Sequence, residues 1–280
     1  MSDIKLKLSK RLAAVANFIP IGAAIVDIGT DHGYLPVYLA QNELTSRIIA
    51  TDISKNSLNS AIESAKKYEV SDKITFLVAD GLHGIEPNDV DTIVLAGMGG
   101  ETIKDILAAA PWTREKDKRL IIQAQSKLDI LCPWLDNFTY IIHDATLVKE
   151  RNKLYTIMLV SPSEHGDGSF VHVNEGTVLL FKNEQKNRPR VHRVLSEPDG
   201  KLLLVLSAKK DPLLPEYLDM LIYSSQKTAL GTAISSPADS KRWYERIERL
   251  KLLKEPSPRS LYQKFADFFG YCFAGFIVCD

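Results

Sequence analysis

Short apolar runs alternate with segments of helical period along the first 160 residues. Residues 6–19 place Leu8, Leu12, Val15, Ala16 and Ile19 at helical spacing before Pro20 ends the run. Ala24-Ile25-Val26-Asp27-Ile28 then reads as a buried strand, and residues 35–41 as a short helix. Residues 47–51 predict a second strand, followed by a helix over 57–67 with Leu58, Ala61, Ile62 and Ala65 on one face. Strands follow at 74–78, 91–95 and 119–123, with helices at 100–109 and 128–135. Residues 140–142 and 155–160 supply a closing pair of strands. Uniformly apolar strands separated by helices predict a parallel sheet covered on both faces. The expected class is therefore a doubly wound α/β domain over residues 1–161, with any ligand at the carboxyl ends of its strands.

The pattern changes beyond Val160. Residues 161–169 have loop composition, and β-like runs at 176–181 and 201–206 flank a basic cluster of Lys182, Lys186, Arg188, Arg190 and Arg193. Residues 213–230 carry Leu214, Leu218, Leu221, Ser225 and Ala229 in steps of three and four, and residues 239–254 carry Trp243, Ile247 and Leu250. A break at 231–237 makes these a helical hairpin, coiled-coil-like, at about 213–254 within a smaller C-terminal domain of residues 162–280. The aromatic and apolar residues 265–279 are too few to span a bilayer and are expected to dock on protein.

Composition narrows the class. Of 280 residues, 45% are apolar and 25% charged, and 35 basic residues balance 35 acidic ones, which argues against a uniformly basic nucleic-acid binder. The balance is uneven along the chain. Residues 1–148 hold 15 Lys and Arg against 19 Asp and Glu, and the remainder holds 20 against 16. No run reaches the 18 or so apolar residues of a membrane span, and the N-terminus lacks a secretory apolar region. Three cysteines, none in a C-x-x-C pair, speak against structural zinc and a disulfide framework. A cytoplasmic protein with no metal and no membrane partner is expected, and oligomeric state is left open.

The chemistry gathers at the strand ends. The first strand runs into Asp27-Ile28-Gly29-Thr30-Asp31-His32-Gly33-Tyr34, a tight glycine turn that is not G-x-G-x-x-G. Its two acids repel phosphate and suit a cationic or amine-bearing ligand. Asp52, at the end of the second strand, is placed to accept ribose hydroxyls, with Ile53 against a base. Asp80, followed by Gly81, can take an exocyclic amine. The fourth strand opens into Gly97-Met98-Gly99-Gly100, which bares backbone to the pocket. A single strand-end Asp is most often a helix cap. Four successive strands with acids or glycines at one edge point instead to a nucleoside-like ligand.

The segment from Asp27 to Pro36, with Ala96-Gly97-Met98-Gly99-Gly100, closely resembles the bacterial tRNA adenine-22 N1-methyltransferases, which are class I enzymes using S-adenosylmethionine. Leu8-Ser9-Lys10-Arg11-Leu12 and Phe18 to Ala23 resemble the family's opening, and the likeness returns weakly at residues 211–218, where the family has a helical coiled-coil domain. One departure is Gln123-Ala124-Gln125, where the family tends to have Gln-Pro.

The resemblance implies a Rossmann-like methyltransferase domain that moves a methyl group from S-adenosylmethionine to N1 of an adenine in tRNA. Asp27, Gly29, Asp31, Gly33 and Tyr34 would shape the methionine end of the cofactor. Asp52 and Ile53 would hold its ribose and adenine, Asp80 and Gly81 its adenine amine, and Gly97, Met98, Gly99 and Gly100 would face the methyl group. Asp31, with His32 behind it, is the candidate catalytic carboxylate, because the methylated adenine is cationic. Lys10, Arg11, Arg188, Arg190, Arg242 and Arg246 are candidate tRNA contacts. A methyltransferase for small molecules or proteins, or a nucleoside-binding scaffold without activity, would share the cofactor edge. A nicotinamide dehydrogenase is disfavoured by the glycine turn.

Overall fold

The computed structural model describes residues 5–163, 170–173, 176–179 and 197–254; at 170–173 and 176–179 only the backbone is described. The described residues fall into two compact units, one within residues 1–182 and one within 183–280. Composition placed the first boundary at 161/162.

In the first unit, Ser9 caps helix α1 (Lys10–Asn17) by accepting the Leu12 N–H, so the helix starts later than the period from residue 6 predicts. Seven strands follow: β1 (Ala23–Ile28), β2 (Thr45–Asp52), β3 (Thr75–Val78), β4 (Thr92–Gly99), β5 (Arg119–Ser126), β6 (Tyr140–Glu150) and β7 (Lys153–Pro162). They form one sheet in the order β3-β2-β1-β4-β5-β7-β6. β1 to β5 are parallel, and β7 runs antiparallel to β5 and to β6. Helices α2 (Tyr34–Gln41), α3 (Lys55–Lys67), α4 (Gly100–Ala109) and α5 (Leu128–Asn137) connect the strands.

Strand order reverses between β1 and β4, which opens the crevice where such sheets bind ligands. The central strands are buried throughout, with Ile25, Val26, Ile93, Val94, Leu95, Ile121 and Ile122 at their core. β6 and β7 are longer than their apolar runs suggest. Half-exposed positions carry the hairpin out to a turn at Arg151, whose φ is positive. A two-stranded antiparallel sheet, β8 (Phe170–Val173) with β9 (Gly176–Leu179), follows.

In the second unit, residues 201–206 are not a strand. They lie in helix α6 (Gly200–Ala208), with Leu202 to Leu206 all buried. A short run that is apolar on every side carries no period to separate strand from helix, and its leucines favour helix. Helices α7 (Leu214–Thr232) and α8 (Pro237–Lys254) form the expected antiparallel hairpin. Ser240 Oγ donates to the Ala229 carbonyl near the turn, and Lys254 pairs with Asp219 near the far end. Of the predicted stripe, Leu214, Leu218, Ser225 and Ala229 are buried.

Candidate functional site

Asp27 is the second-last residue of β1 and is buried. Thr30, in the turn that follows, donates its hydroxyl to Asp27 Oδ2 at 2.7 Å. Burial pushes the Asp27 carboxyl from the usual 3.8 up to about 7, and Asp52 adds to the rise; the Thr30 hydroxyl and the Arg11 guanidinium oppose it. The turn itself needs left-handed backbone at Gly29, Asp31 and Gly33. At Gly33 a side chain would also strike Ala61 of α3, with a Cβ only 2.8 Å from Ala61 Cβ.

The neighbouring strand ends close around this turn. The Asp31 N–H donates to Asp52 Oδ2 at 3.1 Å, and the Ser54 N–H to Asp52 Oδ1 at 2.9 Å. Both oxygens of the nearly buried Asp52 are thus oriented by backbone, each with a lone pair to spare. Ile53 and Val78, apolar residues at the ends of β2 and β3, are 69% and 51% exposed. Asp80, two residues beyond Val78, is also exposed and precedes Gly81 at φ +58. Met98 reaches across from β4, so that a Cβ on Gly29 would lie 2.9 Å from its methyl carbon. Gly97 is exposed, at φ +92. Gly100 opens α4 against the loop before α5, where a Cβ would sit 2.4 Å from the Lys127 carbonyl oxygen.

Asp27, Gly29, Asp31, Gly33, Asp52 and Met98 therefore gather around one turn, and Ile53, Asp80 and Gly81 lie at the neighbouring strand ends. Asp31, His32 and Tyr34 line its rim. The Asp31 carboxylate is 68% exposed and 3.8 Å from His32 Nε2, and the His32 and Tyr34 rings stack at 5.5 Å.

The basic residues sort differently. Arg11 reaches the β4 and β5 ends of this edge. Its Nη1 donates to Gln123 Oε1 at 2.9 Å, its guanidinium lies 5.7 Å from the Tyr155 ring centre, and Nη1 is 3.7 Å from the position a Cβ would take on Gly97. Glu150 receives the Arg11 N–H, which holds its carboxyl below the usual range. The pairing of Arg11 with a buried strand-end glutamine was missed in sequence, because Gln123 follows an apolar run like any strand terminus. Lys10 is exposed on α1, and Arg242 is exposed on α8.

Arg246 is a correction. It is buried, chelating Asp199 at 3.0 and 2.9 Å and pairing with Glu197, and its charge is spent inside the second unit. Helical spacing placed it beside Arg242 but carried no sign of the two acids before α6. Arg188 and Arg190 lie outside the described residues. Among the described residues, no cluster of three potential metal ligands occurs, and no helix is long and apolar enough to cross a membrane.

Comparison with known proteins gives this edge a context. Residues 8–158 match the family model of a methyltransferase domain. The chain is 37% identical over 186 residues to the tRNA (adenine(22)-N(1))-methyltransferase of Bacillus subtilis, covering 65% of this chain and 78% of that protein. The crystal structure of the m1A22 tRNA methyltransferase of B. subtilis superimposes with a TM-score of 0.71 at 27% identity, over 89% of this chain and all of that one. A Streptococcus pneumoniae protein, named as a candidate tRNA (m1A22) methyltransferase and bound to S-adenosyl-L-methionine, gives 0.65 at 25% identity, over 89% of this chain and all of the other.

Proposed function

Since the chain belongs to the tRNA (adenine(22)-N(1))-methyltransferase family, we propose that it transfers a methyl group from S-adenosylmethionine to N1 of adenine 22 in tRNA, in the cytoplasm. The observation that carries this reading is the meeting of Asp27, Asp52, Asp80 and the Gly97–Gly100 segment at one sheet edge within the matched residues 8–158.

The donor set fits the cofactor. A buried carboxyl suits a cationic amino-acid end, Asp52 offers acceptors to ribose hydroxyls, and the exposed Ile53 and Val78, at the same strand ends as Asp80, offer apolar surface to a purine. Bound there, S-adenosylmethionine supplies a methyl group already activated on a sulfonium. The protein's work is then positioning and charge management. Adenine N1 carries a free lone pair, so no residue needs to take a proton. Asp31, an exposed carboxylate on the rim, offsets the positive charge that N1 acquires. Gly97 leaves room for the target base, which must leave its stack to enter. The exposed Lys10 and Arg242, with Arg188 and Arg190, supply contacts to phosphate.

The test is direct. The protein is incubated with unmodified tRNA and labelled S-adenosylmethionine, and the methylated base is mapped. N1-methyladenine at position 22 is the expected product. Label confined to protein or small molecules would transfer the site to another substrate, and no binding of the cofactor by calorimetry would leave a scaffold.

A further inference from the structure

We propose that Gln125 reads the target adenine, held in register by Gln123 and Arg11. The inference rests on the tRNA methylation reading above and names the residue that selects the base.

The observation begins in the register between β4 and β5. Ala96 pairs with Gln123, Met98 with Ala124, and Gly99 with Ser126. The ladder skips Gly97 on one strand and Gln125 on the other, so each strand carries an irregularity at its carboxyl end. Such bulges turn a side chain out of the pleat and recur beside active sites. Here they expose Gln125 and Gly97 at the crevice edge, on the opposite side of β1 from Asp52 and Asp80. The side that holds nucleoside-binding acids and the side that holds the amide are therefore different halves of one crevice.

Three hydrogen bonds fix how that amide is presented. The buried Gln123 donates Nε2 to the Ala124 carbonyl at 2.9 Å, so its Oε1 faces the site. That oxygen accepts from Arg11 Nη1 at 2.9 Å and from Gln125 Nε2 at 3.5 Å. Arg11 has no acceptor in its side chain, so it enforces this orientation of Gln123. Gln125 therefore turns its Nε2, not its oxygen, toward Gln123, at the long end of hydrogen-bond range. With the hydrogen anti to Oε1 directed at Gln123, the other hydrogen and Oε1 of this exposed amide form an adjacent donor and acceptor.

Adenine offers the complement. Its N7 accepts and its N6 amine donates, and glutamine meets that pair with two bonds. Bound by this edge, adenine keeps N1 free on its other edge, where the methyl group must arrive. Guanine puts an acceptor, O6, where adenine has its amine, so Gln125 Oε1 would face another oxygen. Guanine also has a methylatable N1, so an enzyme acting at N1 of adenine needs such a distinction. Gln125 is the specificity residue, and Gln123 and Arg11 are positioning residues that act through it.

The test compares wild type with Q125A and Q125E on two unmodified tRNA transcripts, one with adenine and one with 7-deazaadenine at the target position. Q125A is expected to lose about 10- to 100-fold in kcat/KM on the adenine transcript, the value of one bidentate base contact. Its Kd for S-adenosylmethionine by calorimetry and its Tm are expected to match wild type. Wild type is expected to lose several-fold on 7-deazaadenine, and Q125A to lose nothing further. Q125E, which keeps the acceptor but loses both the donor to the base and the bond to Gln123, is expected to fall at least as far as wild type acting on 7-deazaadenine. Q125A within twofold of wild type, or penalties for variant and analogue that multiply, overturns the assignment. A wild-type protein that leaves both transcripts unmethylated overturns the underlying reading instead, and the two failures are distinct.

Discussion

Asp27 is the residue whose environment departs furthest from its sequence signature. A strand-end aspartate reads as an acid aimed at a ligand, yet this one is buried and holds its proton up to about pH 7. The sign of the consequence follows from linkage. The unfolded chain releases this proton near 3.8 and the folded chain near 7, so the native state binds more protons between those values. Stability therefore falls as pH rises from about 4 to 7, by at most about 4 kcal/mol, and the loss stays constant above pH 7. D27N removes the titration and keeps an acceptor for Thr30. Without ligand it is expected to melt with wild type below pH 4, above it at pH 8, and with a gap that opens between; parallel Tm curves across that range would refute the buried carboxyl. The same placement predicts proton release when a cationic ligand settles beside Asp27. Calorimetry at pH 6.5 in buffers of different ionisation enthalpy reads that release directly.

Asp31 calls for a different substitution. Its φ is +52 and its N–H holds Asp52, so alanine there would strain the turn as well as remove the charge. Asparagine tolerates that backbone and keeps the shape. D31N is expected to lower kcat at least tenfold while the Kd for S-adenosylmethionine stays within about threefold, the pattern of a charge needed only in the transition state. Unchanged kcat would remove Asp31 from the chemistry.

At the scale of elements, the sequence carried most of the sheet and little of what lies between its elements. The apolar runs at β1, β2, β4 and β5 are legible because a parallel strand is buried on both faces. The run at 201–206 was misread for the same reason, since full burial erases the period that distinguishes a helix. Glycines were legible as turns but not as contacts. Gly100 matters because α4 begins against backbone, with the Lys127 and Ser126 carbonyl oxygens 2.4 and 2.9 Å from any Cβ. No side chain can swing aside there, so the helix or the β5–α5 connection must move. G100A is expected to cost about 1–3 kcal/mol, read as a lower midpoint in urea with unchanged slope. A neutral G100A would show that α4 can shift freely.

Across the whole molecule, zero net charge conceals a division. Residues 1–182 carry 19 basic against 23 acidic side chains, and residues 183–280 carry 16 against 12. The excess of four positive charges in the second unit is not all available to phosphate. Arg246 and Arg249 converge on Glu197, and Arg246 also grips Asp199, in a buried cluster that ties α8 to the start of α6. Removing Arg246 would strip buried Asp199 of its arginine and leave Glu197 to Arg249 alone, a loss of about 3–5 kcal/mol. Arg242, one turn earlier and exposed, has no such task. The two arginines therefore separate stability from docking. R246A is expected to lower Tm sharply, whereas R242A is expected to melt with wild type and bind tRNA several-fold more weakly at 50 mM salt. If Arg242 contacts phosphate, its loss also makes the plot of log K against log salt shallower by about one, because one fewer counterion is released. A slope that matches wild type would place Arg242 on a solvated face and move the docking charge elsewhere in the basic half.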